Sequence, residues 1–157
     1  MLAQMRAARY PRSMAPADKP TDKPYVLDDQ IGFVLRRVTQ RHLAIFSEAI
    51  PDLTTTQFAT LAKLAELGPL SQNHLGRVTA MDAATIKGVV DRLRHQGLVE
   101  TTADPDDRRR LTVAMTAAGQ QRFARAVEPA FAVSAATLAP IAPEDRARLM
   151  EFLLKLI

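Results

Sequence analysis

Apolar residues recur every three or four positions over most of the chain, the spacing that places them on one face of an α-helix. The first such segment covers residues 27–50. A second begins at Thr54, which forms a capping-box pair with Gln57 three residues later. Thr116 is placed to cap a long segment near the end of the chain, and Pro143 to open the last one. These patterns predict a mainly helical protein.

Two further helices are predicted between these segments, and only a few residues separate them. Ser71 is placed to cap the first, and Asp82 caps the second, which Gly97 ends. The predicted buried face of the second helix consists of Ile86, Val89, Val90 and Leu93. Two helices joined by so short a turn form a helix-turn-helix.

The pattern changes to alternation after Gly97. "LVETT" and "RLTVAM" read as two short strands, and "ADPDDRR" is the turn between them. By charge alone this turn is typical of a solvated loop, since its acids and arginines nearly cancel. A hairpin over residues 98–115, directly after a helix-turn-helix, would instead be a wing. The predicted fold is therefore mainly α with a small β-hairpin wing: a winged helix-turn-helix with six main helices.

Composition narrows the functional classes. The chain has 157 residues, a net charge of +4 and no cysteine, which excludes disulfides and cysteine-ligated zinc. Its three histidines lack metal-ligand spacing, and no nucleophile–base motif or phosphate loop is present, so we expect neither metal, cofactor nor enzymatic activity. No apolar run approaches the roughly 18 residues of a membrane span. We expect a cytoplasmic protein without membrane contact.

Residues 1–24 differ in composition from the rest of the chain. They contain four prolines, with five basic and two acidic side chains. Such a segment is typical of a flexible basic arm, whose role stays open between a disordered leader and a functional arm. The folded domain is predicted to cover residues 25–157.

The outward face of the fourth helix is the first candidate for nucleic-acid contact. A recognition helix enters the major groove with its N-terminal end leading, and small residues there allow close approach to base edges. The candidates are Ala83, Ala84, Thr85, Lys87, Gly88 and Arg94. Gly88 costs about 1 kcal/mol relative to alanine within a helix. It either lies against a partner or is merely tolerated.

The start of the third helix is the second candidate. Ser71, Gln72 and Asn73 combine polar side chains with free backbone amides, which suits a phosphate group. Ordinary helix capping by Ser71 explains the same residues.

The segment from Leu75 to Gln120 strongly resembles the MarR family of bacterial transcription regulators. Three motifs carry the resemblance: "VVDRLRHQGLV", "ADPDDRR" and "MTAAG", where the family has Leu-Thr-x-x-Gly. The resemblance implies a homodimer built from residues 27–50 and 116–157, with residues 54–115 binding a palindromic operator in double-stranded DNA. It also implies that Arg109 enters the minor groove, that Asp107 orients it and that Arg108 faces phosphate.

A small-molecule effector is also implied, since most such proteins are repressors released by a ligand bound between the dimerisation helices and the winged domain. The stretch Tyr25–His42 is similar to regulators of aromatic and heteroaromatic carboxylate breakdown, including hydroxynicotinate-responsive ones. Independently, His42 interrupts an apolar stripe beside Arg41. Together with Phe46 and Phe58 they form a candidate site for an aromatic anion.

One alternative stays open for the role of His42, and another for the function of the protein. His42 is alternatively explained as a core histidine bonded to a backbone carbonyl, or as one at the dimer seam. The protein itself is predicted to be a repressor released by an aromatic carboxylate. The alternative is a ligand-independent regulator controlled by its abundance or by a protein partner.

Overall fold

The computed structural model describes residues 24–103 and 111–157. Within them six α-helices and a small sheet confirm the predicted fold class. The helices are α1 (Ile31–Ala49), α2 (Thr55–Leu67), α3 (Gln72–Val78), α4 (Ala83–His95), α5 (Ala117–Leu138) and α6 (Pro143–Leu154). The strands are β1 (Leu70–Ser71), β2 (Val99–Ala103) and β3 (Leu111–Met115). Residues 27–29, predicted as the start of the first helix, form a 3-10 turn instead. The boundary between two compact units of the chain falls after Leu35.

The predicted caps at the starts of α2, α3, α4 and α5 are confirmed in atomic detail. Thr54 and Gln57 form the complete capping box at the start of α2. The side chains of Ser71, Asp82 and Thr116 each accept a hydrogen bond from the backbone N–H three residues later. Each bond satisfies a donor that the first helical turn leaves without a partner. These starts are local in origin, which is why the sequence predicts them.

The wing sheet has one strand more than predicted. β3 pairs antiparallel with β2, with Val99 opposite Met115, and on its other edge with β1, where Leu70 lies opposite Val113. Val113 is fully buried and anchors the wing in the core. The two-residue β1 was missed because its pairing partners lie more than 40 residues away, and nothing in its own composition marks it.

The core lies between α2, α4, α5 and the wing. The predicted buried face of α4 is confirmed, and it packs with side chains from α2 and the sheet. The fully buried hydrophobic members of the core are Ile50, Leu61, Leu75, Ile86, Val89, Val90, Leu93, Val99 and Val113. A polar contact joins α2 to the end of α4, where the Gln57 amide donates to the Gln96 side chain at 3.2 Å. α4 is thus held along its buried face and at its C-terminal end.

Helices α3 and α4 end with the same hydrogen-bond pattern. Met81 and Leu98 each donate their backbone N–H, at 2.9 Å, to the carbonyl five residues earlier. This pattern needs a left-handed residue just before the donor. Gly97 fills that position after α4 with φ +70°, whereas Ala80 fills it in the helix-turn-helix turn with φ +53°. The turn therefore stores a small amount of backbone strain.

Candidate nucleic-acid interface and ligand pocket

Helix α4 presents the surface predicted to meet DNA. Asp82 fixes its start, and the buried face directs the opposite side outward. Ala83, Ala84, Thr85 and Lys87 are exposed, as is Arg94 near the other end, and Gly88 is half-buried. At Gly88 an added methyl group would meet the Arg92 guanidinium at 3.5 Å, so this arginine lies over the glycine. The exposed face of α4 carries small side chains at its N-terminal end and basic side chains further along.

The basic side chains of this face share one acidic partner. Lys87 Nζ donates to Asp91 Oδ2 at 3.0 Å, and Arg94 lies 3.5 Å from Asp91 Oδ1. The hydrogen bond from Lys87 is the main cause that lowers the pKa of the Asp91 carboxyl. Asp91 is therefore ionised at neutral pH. Four residues separate Lys87 from Asp91, which is the spacing of an ion pair on one helix face.

The start of α3 lies beside the sheet. Ser71 Oγ accepts the backbone N–H of His74 at 3.3 Å, so its hydroxyl acts as a cap. Gln72 is half-buried and Asn73 is exposed. The capping role is present in the structure, and phosphate binding stays a prediction.

The tip of the wing lies outside the described residues. Asp107, Arg108 and Arg109 belong to it. β2 ends at Ala103 and β3 begins at Leu111, and the two strands pair antiparallel. The contacts predicted for these three residues stay predictions.

Arg41 and His42 meet the end of α5. The Arg41 guanidinium donates to the carbonyls of Thr137 and Ala136 at 2.7 and 2.9 Å. His42 Nδ1 lies 2.9 Å from Thr137 Oγ1, and this hydroxyl donates its hydrogen to the Val133 carbonyl at 2.8 Å. Because a hydroxyl has one hydrogen, Thr137 accepts from His42, which places the histidine proton on Nδ1. Nε2 of a neutral His42 is then an acceptor.

A groove of about 590 Å³ opens beside these two residues. Its walls come from α1, α5 and α6 and are mostly apolar. They include Val38, Leu138, Ile141, Leu149, Met150 and Leu153. The groove thus joins an apolar surface to one guanidinium and one imidazole.

Phe46 and Phe58 do not line this groove. They pack edge to face with ring centroids 5.9 Å apart, and Phe58 also lies 5.6 Å from Phe123. Phe46 is buried in the core and borders a second cavity of about 520 Å³ at the α1–α2 loop. The structure therefore brings together two of the four candidate effector residues. Their partner Thr137 was missed, since it lies 95 residues from His42 and carries no local signal.

Comparison with known proteins identifies the family. A model of the MarR family matches residues 52–110. The chain is 36% identical over 149 residues to the HTH-type transcriptional repressor NicR of Pseudomonas putida, covering 93% of this chain and 94% of that relative. The chain belongs to the MarR family. It is a DNA-binding transcriptional regulator and not an enzyme.

Two solved structures of similar proteins share the fold of this chain. A probable transcriptional regulator from Pseudomonas aeruginosa is 48% identical, with a TM-score of 0.80 over 84% of this chain and 100% of the other. BpsR of Bordetella bronchiseptica is 35% identical, with a TM-score of 0.80 over 85% and 97% of the two chains. Its structure concerns the regulation of its DNA binding by 6-hydroxynicotinic acid.

In the described part of the chain, no three histidine or acidic side chains are grouped as a metal site would require. No single described helix is long and apolar enough to cross a bilayer. α5 and α6 meet the combined requirement of length and hydropathy only as a pair, and the chain bends by 98° between them.

Proposed function

We propose that this MarR-family regulator is a repressor that binds a palindromic operator as a homodimer and leaves it when a small aromatic or heteroaromatic carboxylate binds. The observation that carries the DNA-binding part is the exposed face of α4, with small residues at its leading end and Lys87 one turn later. NicR is a repressor, and the DNA binding of BpsR is regulated by 6-hydroxynicotinic acid. The site of action would be the cytoplasm.

The DNA contacts divide by groove. Ala83, Ala84 and Thr85 would approach base edges in the major groove, with Lys87 reaching a base or a phosphate. Arg109 would enter the minor groove from the wing. Arg109→Ala should weaken operator binding strongly and leave the melting temperature unchanged, as a gel shift and a thermal melt would measure. Equal operator affinity would remove the wing from the proposal.

The homodimer is supported by apolar side chains that a single chain leaves exposed. α6 has no buried residue, and Phe152 and Leu154 are at least half exposed on it. Val38 of α1 is equally exposed. Patches of this kind mark association surfaces. Leu154→Glu should convert the dimer to monomer in light scattering after gel filtration, and a variant that stays dimeric would exclude α6 from the interface.

The groove beside Arg41 and His42 fits the chemistry of a hydroxylated aromatic acid. Two of the five guanidinium N–H groups of Arg41 bind backbone carbonyls, and the others suit a carboxylate. His42 Nε2 would accept a hydrogen bond from a ring hydroxyl, while the apolar wall packs on the ring. The effector would favour a dimer in which the two α4 helices no longer match grooves about 34–36 Å apart.

Operator release tests the effector. Duplexes selected from a random pool by the protein are used in gel shifts with 6-hydroxynicotinic acid and related aromatic acids. His42→Ala should raise the half-maximal release concentration about tenfold, as expected for one lost hydrogen bond, with little change in DNA affinity. Gln40→Ala, exposed on the same helix and outside the groove, is the matched control.

The alternative function makes the opposite prediction. A regulator controlled by abundance or by a protein partner would neither be stabilised against heat by any of these acids nor release DNA in their presence. An unchanged dose–response for His42→Ala, with release intact, would place the effector elsewhere.

A further inference from the structure

The exposed face of α4 carries a carboxylate where it would meet DNA. Asp91 lies between Lys87, one turn before it, and Arg94, three residues after it, and it contacts both. The Lys87 side chain is 68% exposed and that of Asp91 38%, so these ion pairs are in solvent. Exposed pairs of this kind contribute little to fold stability. Stability of the free protein therefore does not account for an acid at this position.

We propose that Asp91 determines specificity by restraining Lys87 and Arg94, so that neither binds phosphate on DNA of unrelated sequence. This inference rests on the proposed role of α4 as the recognition helix. Non-specific affinity comes almost entirely from cations that neutralise phosphates. An ionised carboxylate on the same face occupies the two cations and repels the phosphates. Both effects weaken binding wherever no base contact compensates.

The same contacts favour correct DNA. The hydrogen bond at 3.0 Å holds Lys87 Nζ along the helix surface. A lysine held in one position loses less conformational freedom when it binds a base edge. A carboxylate that weakens binding to unrelated DNA more than binding to the operator raises the ratio of the two affinities. This ratio is the measure of specificity.

The test compares three variants on two duplexes, one of random sequence and one selected from a random pool by the wild-type protein. Asp91→Asn removes the charge and keeps an acceptor for Lys87. Glu66→Gln is the matched control, because Glu66 pairs with Lys63 at 2.7 Å on α2 and its change alters net charge equally. Asp91→Glu keeps the charge. Melting temperatures establish that all three variants fold.

Asp91→Asn should tighten binding to the random duplex about tenfold and lower the ratio of the two affinities. Its plot of log affinity against log salt should steepen by about 0.9 for each additional phosphate bound. Asp91→Glu should keep the wild-type ratio. An unchanged ratio in Asp91→Asn, or an equal change in Glu66→Gln, would overturn the proposal. If the wild type selects no sequence above random, the proposed operator binding itself fails.

Discussion

Replacement of Gly119 by alanine should destabilise the protein, because α5 starts against the backbone of the residue that leads into β2. Thr116 donates its backbone N–H to the Leu98 carbonyl at 3.1 Å, and its hydroxyl donates to the Gly97 carbonyl at 2.7 Å. An alanine methyl at Gly119 would overlap the Leu98 carbonyl oxygen and lie 2.9 Å from its carbonyl carbon. Both are backbone atoms, so no side chain can rotate away. The start of α5 and the base of the wing would have to separate.

The expected size follows from two opposing effects. Forced overpacking costs typically about 1–3 kcal/mol, and occasionally more. Alanine recovers up to about 1 kcal/mol through its higher helix propensity. An overlap of this depth with rigid atoms belongs at the upper end, and separation would also weaken the two Thr116 hydrogen bonds. We expect a net loss of about 2 kcal/mol, or roughly 4–8 °C in melting temperature for a chain of this size.

Urea unfolding at one fixed protein concentration measures this loss, since the stability of the proposed dimer would depend on concentration. Gly32→Ala is the control, because nothing lies within 4 Å of a methyl group at that exposed position in the first turn of α1. It should leave stability unchanged or raise it by up to about 1 kcal/mol. If Gly119→Ala is as stable as the wild type, the close approach to Leu98 does not constrain the fold.

Three further changes test single features. Ala80→Gly should stabilise the protein by up to about 1 kcal/mol in urea unfolding, because glycine adopts the left-handed conformation of this position without strain. Gly97→Ala at the equivalent position after α4 should destabilise the protein. Stability changes of the same sign in the two variants would refute the strain argument. Gly88→Ala should raise the melting temperature but weaken operator binding in a gel shift, and unchanged binding would mean that this glycine does not face DNA. Asp52→Asn should lower the free energy of unfolding at pH 7, because the hydrogen bond from Arg122 stabilises the Asp52 carboxylate and lowers the pKa of this carboxyl below its usual 3.8. Since Asp52 is exposed, the loss should be less than about 1 kcal/mol. This stabilisation is present at pH values above the pKa of Asp52 in the unfolded chain, and it is lost as the pH falls through the lower pKa of the folded protein. The stabilities of wild type and variant should therefore converge in acid, and a difference in stability that persists in acid would contradict this.

Local chemistry is what the sequence by itself determined. Caps at Thr54, Ser71, Asp82 and Thr116 involve residues three apart, and the buried face of α4 follows from helical spacing. These features depend on neighbours along the chain, so they can be read without coordinates. The motifs that resemble the MarR family also lie within one continuous segment, so they too can be read without coordinates.

Contacts between distant residues were decided only by the tertiary structure. β1 exists because β3 offers it an edge, and His42 obtains its tautomer from Thr137 on another helix. Phe46 and Arg41 are close along α1, yet they face different surroundings. Phe46 packs in the aromatic core, while Arg41 donates to a backbone carbonyl at the end of α5. Helical spacing determines which residues share a face of a helix. Only the packing of the other helices determines what that face contacts.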